Sequence, residues 1–274
     1  MEIVLLYVAI VGYMAAGAGY LGYLTRHDRS WHRFGHRAFV AATCVHLVVL
    51  VLAMQRLGHF PTHTLRSTLS FASWSIAVVF LVFQWRFRLM VLGSVAAPLV
   101  AVCMLVVAGL PEGGTGQEAL LSGFWVFIHI TAIFLGDGAF VLAAAVGAIY
   151  LLQERAIKRK KHGFIFRRLP SLDSLDRMGY ALVAFGFPML TAGIATGCVY
   201  AQIVWGRFWS WDPKEVWSLV TWLVYAALLH ERLAVGWRGR KTAIMAIIGL
   251  VVLLFTFFGV NFFMEGHHGR FTKI

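Results

Sequence analysis

Four of the ten tryptophans in this 274-residue chain fall within one short connection between two long apolar runs. Residues 205–217 read Trp-Gly-Arg-Phe-Trp-Ser-Trp-Asp-Pro-Lys-Glu-Val-Trp. The interfacial belt of a membrane protein usually places one or two tryptophans at a helix end, where the indole meets the headgroups. A denser cluster makes a platform for a large, flat and apolar ligand, and a porphyrin fits that description.

Three histidines could supply iron ligands to such a ligand. His129 lies near the start of an apolar run, His230 near the end of another, and His268 follows the last run. Polar side chains within a membrane are costly and therefore indicate function, and two neutral imidazoles can bind iron axially. From the residues alone, His129 could equally be a satisfied packing residue. His230, which is followed by Glu231 and Arg232, could likewise extend its side chain to the lipid headgroups.

The end of the tryptophan cluster carries a helix-start signal. Asp212 is a good N-cap residue, Pro213 suits the first helical position, and Glu215 follows Asp212 by three residues, as in a capping box. The pattern predicts a helix that begins at about Pro213 and a rigid end to the loop before it.

Eight apolar runs must position these residues. Hydrophobic residues make up 60% of the chain and charged residues 13%, which is typical of membrane proteins. Several runs exceed the ~20 residues needed to cross a bilayer. We therefore expect an all-α polytopic integral membrane protein with about eight transmembrane helices. It would form a single membrane domain over residues 1–274, with the tryptophan-rich loop at 203–217. The runs cover roughly residues 3–24, 38–55, 69–84, 89–110, 120–152, 177–204, 215–232 and 242–263.

The net charge of +12 maps onto alternate loops. Most of the 24 basic residues lie within 26–37, 86–88, 155–177 and 232–241. Because cytoplasmic loops carry the excess of Lys and Arg, we expect both termini and the tryptophan-rich loop on the extracytoplasmic face. Topology and attraction to anionic lipid account for the basic charge, so no nucleic-acid partner is expected.

Five further residues lie inside apolar runs. Cys44, Cys103 and Cys198 are isolated, and the chain has no Cys-x-x-Cys pair, so we expect them to be small buried residues. His46 is expected to be a packing or auxiliary residue. Asp137 is an intramembrane carboxyl group to which the sequence assigns no role.

The tryptophan cluster resembles the signature of the haem-handling proteins of cytochrome c maturation, and its Asp-Pro-Lys-Glu ending is similar to the CcsA/ResC family. Further matches are Gly-His-Phe-Pro at 58–61, Trp125 with His129, and Gly-Val-Asn at 259–261, so the resemblance covers nearly the whole chain. It implies that the haem-binding segment contains Trp205, Gly206, Trp209, Trp211, Asp212 and Trp217.

The resemblance also implies roles for the histidines as axial ligands of haem iron. His129 and His268 match the two external ligands that flank the signature, with His267 as the neighbouring alternative. His230 matches an intramembrane ligand whose partner histidine comes from a separate CcsB/ResB-type membrane protein.

The function implied by the resemblance is haem transport, presentation and attachment to apocytochrome c that carries Cys-x-x-Cys-His. The chain would be a subunit of a holocytochrome c synthase, a haem lyase that forms thioethers, and would hold b-type haem non-covalently in transit. Thiol-reducing proteins and the lipid bilayer are further expected partners. The expected location is the bacterial cytoplasmic (inner) membrane, with an extracytoplasmic active face.

Two alternatives stay open: an electron-transfer subunit with permanent b-type haems, and a haem exporter without ligase activity.

Overall fold

The computed structural model describes residues 1–26, 28–58, 60, 64–87, 90–111, 124–160, 163 and 168–264. Within these ranges the regular structure is entirely helical. A short 3₁₀ turn precedes α4, a π-helical turn follows α7, and a second π-helical turn lies between α8 and α9. The helices are α1 Glu2–Arg26, α2 Arg29–Leu57, α3 Leu65–Phe87, α4 Gly93–Gly109, α5 Phe124–Lys158, α6 Leu172–Trp205, α7 Pro213–His230, α8 Arg240–Leu254 and α9 Val260–Phe263.

Eight helical segments of the described chain are long and apolar enough to cross a membrane, which confirms the predicted all-α architecture and number of spans. Helix α3 is longer than its apolar run, and the serine hydroxyls inside the run bond to the backbone of the same helix. Ser73 donates to the Leu69 carbonyl at 2.7 Å and Ser75 to the Phe71 carbonyl at 2.9 Å. A hydroxyl that bonds to its own helix loses most of the penalty of leaving water.

Helix α5 is the centre of the bundle. Its most apolar stretch is 67% buried, against 17% for the span Pro213–Val235. It packs against α3, α6 and α8, while α1 packs against α2 and α4. Residues on α5 therefore face protein, whereas much of α7 faces outward.

His46 joins the first three helices through a buried polar network. The imidazole of this fully buried residue lies 3.3 Å from the Tyr13 hydroxyl through Nδ1 and 3.0 Å from the Ser70 hydroxyl through Nε2. Both ring nitrogens are therefore engaged within the bundle. This arrangement fits the expected packing role of His46.

Asp176 on α6 fixes the connection between α7 and α8. Its carboxylate accepts hydrogen bonds from both terminal nitrogens of Arg232, at 2.8 Å each, and from the Gly239 N–H at 2.7 Å. The Arg232 guanidinium also lies over the Tyr180 ring at 4.7 Å. Paired, forked hydrogen bonds of this kind are the strong and directional ones, so the segment that follows His230 is anchored to α6.

The predicted orientation can be tested by cysteine labelling in a variant without the native cysteines. We expect an impermeant thiol reagent to label Arg207→Cys in intact cells, because this exposed residue lies in the tryptophan-rich loop. Gly163→Cys, which is exposed in the loop after α5, should react only after the membrane is opened. Labelling of Gly163→Cys in intact cells would show that the orientation is opposite to the predicted one.

Candidate functional site

Residues 206–212 connect α6 to α7, and both ends of this connection are capped. Gly206 has a φ of 70°, and its N–H donates to the Gln202 carbonyl at 3.1 Å. A left-handed residue of this kind ends a helix, and glycine adopts the conformation without a steric penalty. At the other end, Asp212 accepts the Lys214 N–H at 2.9 Å and Glu215 accepts the Asp212 N–H at 3.2 Å. The predicted capping box and the helix start at Pro213 are confirmed.

Glu215 extends this cap into the loop. Its carboxylate also accepts the backbone N–H of Ser210 at 2.8 Å and the Ser210 hydroxyl at 2.9 Å. Between these contacts, Trp211 has a φ of 60° and a side chain that is 76% exposed. Positive φ is rare for bulky residues and costs on the order of 1–3 kcal/mol. The hydrogen bonds to Glu215 on either side hold Trp211 in this conformation.

A cavity of about 230 Å³ lies beside this loop, between α5, α6, α7 and the end of α8. Most of its lining is apolar, and Trp205, Phe208 and Trp209 contribute aromatic rings to it. The π-helical turn Phe255–Gly259 also reaches the cavity, through Thr256 and Phe257. Interrupted helices of this kind are frequent at functional sites.

His129 lines the same cavity, and α6 fixes its ring. Nδ1 lies 2.6 Å from the Gly193 carbonyl oxygen. A carbonyl can only accept, so Nδ1 carries the proton, and Nε2 of the neutral ring keeps its lone pair. Gly197 leaves space for the ring, since a Cβ there would stand 2.7 Å from Cε1 and 2.8 Å from Nδ1. Metal-ligating histidines are commonly oriented by such a bond from the other nitrogen to a carbonyl.

The other two tryptophans of the cluster, Trp211 and Trp217, each contact another aromatic ring. The Trp209 ring meets the Trp211 ring edge to face at 6.0 Å. Trp217 packs on Phe255 with ring centroids 4.4 Å apart. Trp211 and Trp217 are not among the described residues that line the cavity. The four predicted platform residues therefore divide into two that line the cavity, one that contacts a lining ring and one that packs on the π-helical turn after α8.

Comparison with known proteins identifies the family. A family model described as cytochrome C assembly protein matches residues 35–268. The cytochrome c biogenesis protein CcsA of Synechococcus sp. (strain CC9902) is 32% identical over 80% of this chain and 80% of its own length. CcsA of Guillardia theta is 29% identical over 91% of this chain and 89% of its own. The chain belongs to the CcsA family of cytochrome c assembly proteins.

In two further comparisons, this chain covers a smaller share of the related protein. CcsA of Chlamydomonas reinhardtii is 34% identical over 81% of this chain, which spans 64% of that relative. The solved structure of Cytochrome c Heme Lyase CcmF superposes with a TM-score of 0.66 at 16% identity, over 99% of this chain and 48% of that chain. At this identity the second similarity concerns the fold alone. Together with the eight spans, these findings describe a multi-pass membrane protein of the CcsA family.

Of the three histidines that the resemblance singles out, only His129 lies at the cavity among the described residues. His230 ends α7, seventeen residues after Pro213 and therefore about 25 Å along the helix axis. Its side chain is exposed. His268 and its neighbour His267 lie outside the described residues. The ligand roles of all three stay predictions.

Sequence analysis did not place several polar residues at this cavity. Asp137 and Lys214 bring charges of opposite sign to the lining, and Tyr200 and Cys198 also belong to it. The expectation that all three cysteines are buried is wrong for Cys44, which is exposed, while Cys103 and Cys198 are partly exposed. An apolar run does not reveal which helix face meets lipid, which meets protein and which meets a cavity.

The capping role of Glu215 generates a stability prediction. Glu215→Ala should lower the thermal midpoint by about 2–4 °C, because it removes a cap contribution of ~1 kcal/mol. The midpoint is measured by heating the protein in detergent and quantifying the remaining folded fraction by size-exclusion chromatography. Asp173→Ala is the matched control, since this first-turn acid of α6 is 72% exposed. Equal midpoints for the two variants would contradict the assigned role.

Proposed function

We propose that this chain binds haem at the cavity beside residues 206–212 and presents it for attachment to apocytochrome c. The observation that carries the proposal is the state of His129. Its Nδ1 proton is directed at the Gly193 carbonyl, so Nε2 is the unprotonated nitrogen of a neutral ring whose orientation is fixed. An imidazole prepared in this way, in a mostly apolar cavity with indole rings, suits a porphyrin iron better than it suits a polar substrate.

The size of the cavity supports presentation rather than storage. Its ~230 Å³ is less than the about 300–1,000 Å³ of pockets that enclose drug-sized ligands. A porphyrin held here would keep part of its ring outside, against the exposed rings of Phe208 and Trp211. An accessible edge is what a second protein needs in order to react with the vinyl groups.

The chemistry requires positioning more than it requires an acid or a base. Each thioether forms when a cysteine sulfur bonds to one vinyl carbon and the thiol hydrogen goes to the other, so the addition consumes no oxidant or reductant. The Cys-x-x-Cys-His segment of apocytochrome c would supply two thiols, kept reduced by thiol-reducing proteins. The contribution of this chain is to hold the porphyrin so that the reacting atoms meet at near-attack distance.

His230 supports a second station on the route of the haem. It lies on the exposed face of α7, about 25 Å from the N-terminus of that helix, so one ligand cannot contact both regions. We propose that His230 ligates b-type haem together with a CcsB/ResB-type partner near the cytoplasmic side of the bacterial inner membrane. The outer cavity would then receive this haem, with His268 as the second external ligand.

The electron-transfer alternative receives less support from the described residues. Permanent b-type haems in helix bundles are usually held by paired histidines. His46, the deeply buried histidine, has both ring nitrogens engaged by Tyr13 and Ser70. Export without ligation differs from the proposal only in its product, so the deciding measurement is covalent haem on the cytochrome.

The His129 proposal is tested by co-expressing this chain, a CcsB-type partner and an apocytochrome in cells without another maturation system. We expect His129→Ala to reach the membrane at normal levels and to abolish covalent haem staining of the cytochrome. Added imidazole should restore part of the staining, because it supplies the missing axial nitrogen. His36→Ala is the control histidine, since it is not among the described residues that line the cavity.

A second pair of variants in the same assay keeps the imidazole but disturbs its position. Gly197→Ala should mimic His129→Ala, because the new Cβ would stand under 3 Å from the ring. Gly179→Ala on the same helix meets only Val146 Cγ1 at 3.7 Å and should mature cytochrome normally. Normal maturation with Gly197→Ala, or with His129→Ala, would contradict the role of His129.

The two-station proposal predicts an order of filling. His230→Ala, purified with the CcsB-type partner, should lose haem from both stations, whereas His129→Ala should empty only the outer one. Haem per complex and the absorption spectrum measure the difference. Unchanged occupancy and spectrum in His230→Ala would show that this side chain only reaches the headgroups.

A further inference from the structure

Two side chains of opposite charge line the cavity without being needed for its cap. Lys214 comes from the first turn of α7 and Asp137 from the middle of α5, and their charges interact. The other two acids of this region are hydrogen-bonded within the loop and the first turn of α7. Asp212 accepts the Lys214 N–H, and Glu215 accepts the two Ser210 donors and the Asp212 N–H.

Asp137, by contrast, keeps an oxygen that nothing in the described part of the chain engages. Its Oδ1 atom is buried and has no hydrogen-bond partner among those residues. Buried polar atoms are nearly always hydrogen-bonded, so each exception requires an explanation. A structural ion pair is a weak explanation, because desolvation offsets most of the attraction between buried charges. An acid and a base at one cavity are better explained by a charged group on the ligand.

We propose that Lys214 binds a carboxylate of the cavity ligand, and that Asp137 is an internal counter-ion with which this carboxylate competes. The inference rests on the proposed function, since haem carries two propionate side chains. The ammonium of Lys214 supplies charge-assisted hydrogen bonds, and the N-terminus of α7 adds positive potential at the same end of the helix. The negative charge of Asp137 weakens the binding of a second carboxylate. Moderate affinity suits a porphyrin that must be passed on.

Esterified haem separates this contact from all others, because the dimethyl ester keeps the ring and the iron but has no carboxylate. The purified full chain in lipid nanodiscs is titrated with haem and with haem dimethyl ester, and tryptophan fluorescence and haem absorbance report binding. We expect Lys214→Met to weaken haem binding about tenfold or more and to leave the ester unchanged. Asp137→Asn should strengthen haem binding several-fold, again without effect on the ester.

Arg207→Met is the matched control for Lys214→Met. Arg207 is a cation of the same loop, but it is exposed and is not among the described residues that line the cavity. Its replacement should leave both affinities unchanged. If Lys214→Met folds poorly because Asp137 is left without its counter-ion, the double variant Asp137→Asn/Lys214→Met replaces it. Compared with Asp137→Asn, the double variant should bind haem about tenfold more weakly and the ester equally well.

Three results would overturn the inference while the proposed function stands. The first is that Lys214→Met changes the affinities for haem and for the ester equally. The second is that Asp137→Asn binds haem more weakly, and the third is that Arg207→Met loses affinity for haem selectively and as much as Lys214→Met does. Failure of the unmodified chain to bind either ligand would instead overturn the proposed function, and this inference with it.

Discussion

The close contact between α5 and α6 is the constraint on which the candidate site depends. A Cβ on Gly136 would stand 3.0 Å from the Gly186 carbonyl oxygen, so the two backbones approach where neither residue has a side chain. Helices in lipid associate through close packing of small residues, because lipid gives no hydrophobic drive for them to meet. About two helical turns further along, the same contact brings His129 to the Gly193 carbonyl and the space beside Gly197. Helix packing and the orientation of the His129 ring therefore have one structural cause.

The connection between α6 and α7 is organised differently, through hydrogen bonds rather than packing. Gly206 ends one helix and Asp212 starts the next, while Glu215 ties the intervening backbone to the helix start. These contacts satisfy backbone groups that would otherwise be left without partners at a helix end. They leave the rings of Phe208 and Trp211 exposed, at 60% and 76%. A short loop can present apolar rings in this way because its polar groups are satisfied internally.

The acids of the site divide into two classes with different consequences. Asp212 and Glu215 are used by the backbone, and their removal would affect the loop before it affected a ligand. Asp137 makes no comparable contact through Oδ1 among the described residues, although its side chain lines the cavity. Asp176 of α6 is again structural, since its carboxylate accepts hydrogen bonds from Arg232 and Gly239 beyond the C-terminal end of α7. The two ends of α7 are thus both held firmly while serving separate regions.

Much of this protein was determined by its sequence alone, where the signals are local. Apolar length predicted the spans, because each span must cover the same thickness of hydrocarbon. Asp212, Pro213 and Glu215 predicted the helix start, because a cap depends on residues within one turn of each other. The tryptophan-rich segment indicated the family, which the comparisons confirmed.

Only the tertiary structure decided which residues share the cavity. Asp137 lies seventy-seven positions before Lys214 in the chain, and no local pattern relates the two. His129 gains its tautomer from a carbonyl on another helix, while Trp217, in the same motif as Trp209, turns to Phe255. The physical reason is that apolar runs have the same kind of amino-acid composition whether they face lipid, protein or a cavity. Those faces are distinguished only when helices pack and small residues set how closely they approach.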